Sequence, residues 1–335
     1  MSDFETRLKT FLHQRGLPTD VFTLTPDAST REYYRIYWNG STAIACVYPE
    51  GFIATEQSYL DVTALFATAG IPVASVHDHD EELGIIILED LGDTILRNVL
   101  IDSEEHKRES LLDSAISLIP RIQAATGLAF ETGSIASKLS FDREKLLWEL
   151  DFFKTHYFTT LKKQPLSDSE DLALLDNFTD LAIHLESKAT VLCHRDYHAA
   201  NLMVMPNGEL KIIDHQDARI GSVTYDLVSL LLDRVTEIPS DDWIESKIMY
   251  FLSERDKLSL PPINIVEFDH EVKMQTVQRC LKAIGTFSFQ SANRGKDYFL
   301  PFIKPMFQIV EKSLLELKVF PKLTEVVVKE ANEDI

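Results

Sequence analysis

Apolar positions Phe4, Leu8, Phe11 and Leu12 recur at helical spacing behind Ser2 and Glu5, a capping-box pair, and predict an opening helix. From about residue 21 to 49 the pattern changes. VFTLT, EYYRIYW and STAIACVYP are rich in β-branched and aromatic residues, and Asn39-Gly40 between the last two predicts a hairpin turn. TEQSYLDVTALFATAG returns to helical periodicity, with Thr55 as its cap and Gly70 and Pro72 as its stop. VASVHDHDEELGIIILEDLGD reads as two strands around an acidic turn. Beyond residue 94 helical periodicity dominates: LLDSAISLIPRIQAA, REKLLWELDFFKTHYF, DLALLDNFTDLAIHLESKA, VTYDLVSLLLDR, and segments near 243–254, 267–292 and 306–318. One stretch interrupts it. TVLCH is extended, and LMVM and ELKIID are short strands joined by Pro206-Asn207-Gly208. The pattern predicts an α+β protein: a small antiparallel sheet lobe over 1–91, then a larger helical lobe over 92–335 that holds one embedded hairpin.

Composition narrows the function classes. The chain has 335 residues, 45% hydrophobic and 26% charged, enough apolar material for a sizeable core. Its 53 acidic against 33 basic residues leave a formal charge of -20. That excludes nucleic acid and anionic membrane as expected partners, since both need clustered Lys and Arg. An acidic surface serves solubility or welcomes a cationic substrate. Cys46, Cys193 and Cys280 show no CxxC spacing, which fits a reducing compartment. The N-terminal stretch is not a signal peptide and no apolar run reaches about 18 residues, so the expected location is cytoplasmic.

The chemistry concentrates in CHRDYHAAN, residues 193–201. His194 and His198 stand four apart, as two zinc ligands on a helical turn would, but Arg195 replaces the glutamate of HExxH and a strand precedes the pair. Zinc is disfavoured. His194, directly after an apolar strand, reads as a buried structural hydrogen-bonding group. Asp196 and Asn201 alone would pass for loop residues. The hairpin that follows changes this, because its second strand ends at Asp214 and folds back beside the loop. Asp196, Asn201 and Asp214 then converge as phosphoryl transfer requires: a carboxylate to orient and deprotonate a hydroxyl, and hard oxygen ligands for Mg²⁺. His-x-Asp, an Asn five residues on and a later Asp reproduce the kinase catalytic-loop signature.

The run VLCHRDYHAANLMVMPNGELKIIDHQDARIGSVTYDLVSLLLDR resembles the aminoglycoside phosphotransferase and choline kinase superfamily, relatives of protein kinases. With DASTREYYRI, GIIILEDLGD and RCLKAIGTFSFQSANRGKDYFLPFI, the resemblance is greatest to bacterial anomeric sugar kinases acting on N-acetylmuramate and N-acetylglucosamine. It implies a two-lobed, protein-kinase-like fold, with Asp196 as catalytic base and Asn201 and Asp214 holding Mg²⁺. It further implies an adenine-binding hinge at Glu89, Asp90 and Leu91, and Asp226 as a buried brace of the catalytic loop. ATP and Mg²⁺ are the implied cofactors.

The pattern also departs from that of kinases. Aligning TAIACVYP with the lysine-bearing strand puts Cys46 at the lysine position, and no lysine lies between Lys9 and Lys107. No glycine-rich loop is present; PDASTREYYRI offers Ser29 and Thr30. Either the phosphates are held by Mg²⁺, the Ser29-Thr30 turn and Arg31 or Arg35, or the chain is a non-catalytic nucleotide-binding scaffold. Glu56 meets an arginine or is only an N-terminal helix acid. His198, Gln216, Asp217 and Arg219 flank the catalytic residues and are the acceptor candidates, though Asp217 and Arg219 could merely pair with each other. Tyr197 could stack on a sugar or simply pack. Arg279 and Lys282 could place a cation near an acceptor carboxylate or lie on a solvated face. The expected function is ATP- and Mg²⁺-dependent phosphorylation of a small-molecule hydroxyl, best matched by the anomeric hydroxyl of an N-acetylated amino sugar. The alternatives are an aminoglycoside or amino-alcohol kinase, and the scaffold.

Overall fold

Strand alternation builds the N-terminal sheet. The computed structural model describes residues 3–24 and 30–333; Ser2 of the expected capping box and Ser29 lie outside them. Strands β1 (Val21–Leu24), β2 (Glu32–Trp38), β3 (Ser41–Val47), β4 (Val76–Asp80) and β5 (Ile85–Glu89) form one antiparallel sheet in the order β1-β2-β3-β5-β4. Successive side chains point to opposite faces. Tyr34, Ile36, Ala43, Ala45, Val47, Ile85 and Ile87 therefore share one face, where Leu8, Phe11 and Leu12 of the Asp3–Gln14 helix bury against them. Each fully buried Leu, Ile, Val or Phe among them contributes about 1.5–3 kcal/mol. Cys46, Ile86 and Leu88 take the other face with Tyr59 of the Ser58–Thr68 helix. β2 and β3 meet in the expected two-residue turn, with φ of 46° at Asn39 and 88° at Gly40.

One cap differs from expectation. Residues Ala54–Glu56 form a separate tight turn, so the helix begins at Ser58 and Gln57, not Thr55, caps it by accepting the Tyr59 N–H. The helix ends as expected, with Gly70 at φ 68°.

By internal contacts the chain divides into two units interleaved along the sequence, so residue 91 ends neither. The first comprises residues 1–115, 127–136 and 199–218, the second 116–126, 137–198 and 219–335. The hairpin Leu202–Val204/Leu210–Ile212 belongs to the first. Val204 N–H donates to Thr94 C=O and Ile212 N–H to Pro72 C=O, both at 2.8 Å, while Met203 packs with Ala74 and Leu91.

The second unit is helical. Its axis is the 30-residue Ile265–Arg294 helix, capped by Asn264 and ended by Gly295 at φ 64°. The Arg143–Lys154 helix crosses it so closely that a Cβ on Gly285 would stand 2.6 Å from Phe153 Cα. Two short strands, Val191–Cys193 and Arg219–Gly221, pair antiparallel and lead into and out of the loop region. Among the described residues no helix is long and apolar enough to cross a membrane.

Candidate active site

The Val191–Cys193 strand delivers the loop that starts at His194. Asp226, in the first turn of the Tyr225–Leu231 helix and 1% exposed, accepts the N–H of His194 at 2.7 Å and of Arg195 at 3.1 Å. These bonds hold Arg195 at φ 85°, a left-handed conformation that residues other than glycine resist without support. Burial raises the Asp226 carboxyl, against the lowering effect of His194, the two amides and Arg279. His194 is fully buried, edge-on to Tyr197.

Asp196 follows at once, its side chain 30% exposed. Lys282 Nζ lies 3.2 Å from its Oδ1 and Arg195 Nη1 3.7 Å from its Oδ2. Burial alone would raise this carboxyl, but Lys282, Arg195, Arg279 and His198 hold it well below the usual aspartate range. Asp196 is thus an anion across the neutral range, set among cations. Lys145 and Arg219 add to the same field. The Lys145 ammonium is pushed down by burial and by Arg195, Arg219 and Lys282, against Glu149. Arg219 lies over the Phe141 ring and is 9% exposed.

The first unit holds the remaining signature residues. Leu202 pairs with Ile212, so Asn201 and Ile213 stand opposite, and Ile213 N–H donates to Asn201 C=O at 3.0 Å. Asp214 is next, at φ 61°. The hairpin thus brings Asn201 and Asp214 together by backbone pairing, as its turn sequence predicts. Gln216 Nε2 donates to Asp214 Oδ1 at 2.8 Å, and Arg31 Nη2 lies 3.7 Å from the same oxygen. His215, fully buried, bonds through Nε2 to Thr63 Oγ1 at 2.7 Å and stacks among Tyr59 and Phe66, tying the segment after Asp214 to the Ser58–Thr68 helix. An amide and a carboxylate are hard oxygen donors suited to Mg²⁺, which keeps few protein ligands. Among the described residues no cluster of three or more His, Cys, Asp or Glu forms a metal cage.

At the position of the absent lysine, Cys46 is buried and its thiol is pushed up to about 11, chiefly by burial. It is a neutral group. The neighbouring cation is Arg31, whose guanidinium lies 5.7 Å from the Tyr33 and Tyr48 rings and within the electrostatic reach of Cys46. Arg35 is placed otherwise: it forks onto Asp90 at 2.7 and 3.1 Å and onto Asp93 at 2.8 and 3.1 Å. Glu89 pairs with Lys211 at 2.6 Å, and its N–H donates to Ser75 C=O. Thr30 and Glu56 are exposed, Glu56 in the turn before the helix. Gln216 and Asp217 lie in the first unit, His198 and Arg219 in the second.

Sequence reading passed over Glu149, Gln278 and His215. Glu149 carried a signal: it occupies the buried stripe Leu146-Glu149-Leu150-Phe153, where an acid needs a partner. The sequence offers Lys282 as a group for an acceptor carboxylate or as part of a solvated face; the structure makes it the partner of Asp196.

The chain belongs to the phosphotransferase enzyme family, whose model matches residues 22–260. It is a small-molecule kinase with the protein-kinase-like α+β fold. Its relatives include the N-acetylmuramate/N-acetylglucosamine kinase of Neisseria meningitidis, 28% identical over 89% of this chain and 87% of that protein. Among solved structures it is similar to choline kinase LicA from Streptococcus pneumoniae, at TM-score 0.59, 16% identity, and 94% and 100% of the two chains. It is likewise similar to a thermostable aminoglycoside phosphotransferase APH(4)-Ia variant in ternary complex with AMP-PNP and hygromycin B, at TM-score 0.54, 16% identity, and 98% and 99% coverage.

Proposed function

We infer that this kinase transfers the γ-phosphoryl group of ATP to the anomeric hydroxyl of N-acetylmuramate or N-acetylglucosamine. The observation that carries the substrate is the likeness to a kinase named for those two sugars along nearly the whole of both chains. In the reaction the acceptor oxygen bonds to the γ-phosphorus, the bond to the β,γ-bridging oxygen breaks, and the hydroxyl proton passes to Asp196. A carboxylate held below its ordinary pKa is a weak base, and an anomeric hydroxyl is more acidic than an ordinary alcohol; the two are matched. Asn201 and Asp214 are the residues to hold Mg²⁺, which when bound neutralises phosphate charge. Arg31 supplies the cation that Cys46 cannot, while Arg35 holds the hinge through Asp90 and Asp93. The Glu89 N–H is engaged by Ser75, so the adenine edge is left to the Glu89 carbonyl and the backbone of Asp90 and Leu91. His198, Gln216, Asp217 and Arg219 are the acceptor contacts.

An aminoglycoside or choline would bring an ammonium group toward Asp196. Lys282, Arg195 and Arg279 set positive charge, like that of the ammonium, around that carboxylate, which disfavours both. ³¹P NMR of the protein with ATP, Mg²⁺ and a panel of N-acetylmuramate, N-acetylglucosamine, glucose, kanamycin and choline tests the reading. A new resonance coupled to an anomeric proton supports it. Phosphorylation of kanamycin or choline alone overturns the substrate, and ATP binding without any product turns the reading to a scaffold.

A further inference from the structure

Lys282 and Glu149 come from two different helices and are both drawn out of solvent, yet they do not pair closely. Glu149 is 0% exposed; its Oε2 accepts Gln278 Nε2 at 2.7 Å, and Gln278 Oε1 in turn accepts Gln275 Nε2 at 3.0 Å. Its Oε1 has no hydrogen bond among the described residues and faces Lys282 Nζ at 3.8 Å. A lysine present only to neutralise Glu149 would close that gap, because an unbonded buried carboxylate oxygen is costly. The ammonium sits instead at 3.2 Å from Asp196 Oδ1. The side chain is 14% exposed and burial pushes its ammonium down, as does Arg279, with Asp196 and Glu149 opposing. Two carboxylates thus share one lysine, and the lysine favours the one in the catalytic loop.

We propose that Lys282 is a positioning residue for phosphoryl transfer: it fixes the rotamer and the ionised state of Asp196, and Glu149, anchored by Gln278, is the counter-charge that keeps Lys282 in place. This rests on the assignment of Asp196 as the base. When Asp196 takes the acceptor proton, its charge vanishes and the ammonium keeps Glu149 as its remaining partner. Lys282 therefore stays charged through the step and need not give up a proton. The other charged groups facing the pair are Arg195 and His198 from the loop, Arg279 from the same helix, and Lys145 beside Glu149.

The test compares the wild type with Lys282→Met, Lys282→Gln and Lys282→Arg, each checked for folding by its thermal transition. ¹³C NMR of protein labelled at aspartate carboxyls, with the Asp196 resonance assigned by Asp196→Asn, follows its titration directly. Losing a cation at this distance should move the Asp196 midpoint up by about 1 to 3 pH units in the Met and Gln variants. The acid limb of kcat/KM should move with it, kcat should fall more than KM for ATP rises, and Lys282→Arg should restore the low midpoint. A folded Met or Gln variant with an unmoved midpoint overturns the proposal. If the wild type phosphorylates no acceptor, the reading of the function fails while the NMR midpoints still decide the role of Lys282.

Discussion

Replacing Asp226 by Asn removes one charge and almost no volume from the side chain that holds the His194–Arg195 backbone, and so tests whether it braces a catalytic loop. Asp226 accepts two backbone N–H groups, at 2.7 and 3.1 Å, and bonds to a charged acceptor are worth about 1.5–3 kcal/mol each. Asn keeps one acceptor oxygen and turns an NH₂ toward the other amide. One buried donor is left unpaired, at about 1–3 kcal/mol. Against this, burial holds the Asp226 carboxyl above its ordinary pKa, so ionisation there opposes folding and removing the charge returns part of the loss. The net is a destabilisation of about 2 kcal/mol, measurable as a lower urea midpoint with unchanged slope. The catalytic effect should exceed the stability effect. Arg195 at φ 85° is held by these two bonds, and Asp196 is its neighbour in the chain. A misplacement of about 1 Å costs on the order of 10² in rate, so kcat should fall about 100-fold with KM for ATP little changed. A stable Asp226→Asn enzyme with wild-type kcat would refute the bracing role.

Arg31→Met should weaken ATP use with little loss of stability; losing one charge-assisted phosphate contact lowers kcat/KM for ATP by about 10- to 100-fold, read by steady-state kinetics. Cys46→Lys should not improve the enzyme, since the new ammonium would be buried beside Arg31; a gain in kcat would show that Arg31 does not serve in its place. Gly285→Ala forces apart two helices in backbone contact and should cost about 1–3 kcal/mol in urea unfolding; Lys282 and Glu149 lie one turn away on the same two helices, so kcat should fall as well. The folded-state pKa of Asp196 is depressed, so its ion pair stabilises the fold above the ordinary aspartate range and is lost as pH falls through the folded value. The acid limb of kcat/KM should accordingly lie below about pH 4, and a limb near neutrality would identify a different base.

Local patterns were legible where the interactions are local. Asn39-Gly40 dictates its turn by backbone conformation, and alternation along β2, β3 and β5 assigns their side chains to the two faces. His194 to Asp214 spans one loop and one hairpin, so spacing alone could place Asn201 beside Asp214. Periodicity places the cap at Thr55, but Ala54–Glu56 form a separate short turn, and Ala54 N–H bonds to Glu81, 27 residues on, a contact that local pattern does not show. The membership of the 199–218 hairpin in the first unit depends on bonds to Thr94 and Pro72, more than 100 residues earlier. Lys282 is 86 residues from Asp196, and Gln278 129 from Glu149. Helical periodicity gives each helix a buried face but not the rotation that meets a particular partner.

The charge distribution ties these particulars to the chemistry. A chain of formal charge -20 repels ATP, and repels an acidic sugar too, unless positive charge is concentrated where each must sit. Each unit has a local group of cations: Arg31 in the first, and Arg195, Lys282, Arg279, Lys145 and Arg219 in the second. They are partly buried, so salt screens them less than it screens the acidic surface. The surface charge and the site charge therefore have different work: Lys282, Arg195 and Arg279 lower the pKa of Asp196, and on the proposed function the same cations favour neutral or anionic acceptors. Raising ionic strength should weaken the surface field first, so turnover of an acidic acceptor should tolerate salt or rise with it. A protein whose acidic surface gathered a cationic acceptor would lose turnover steeply under the same change.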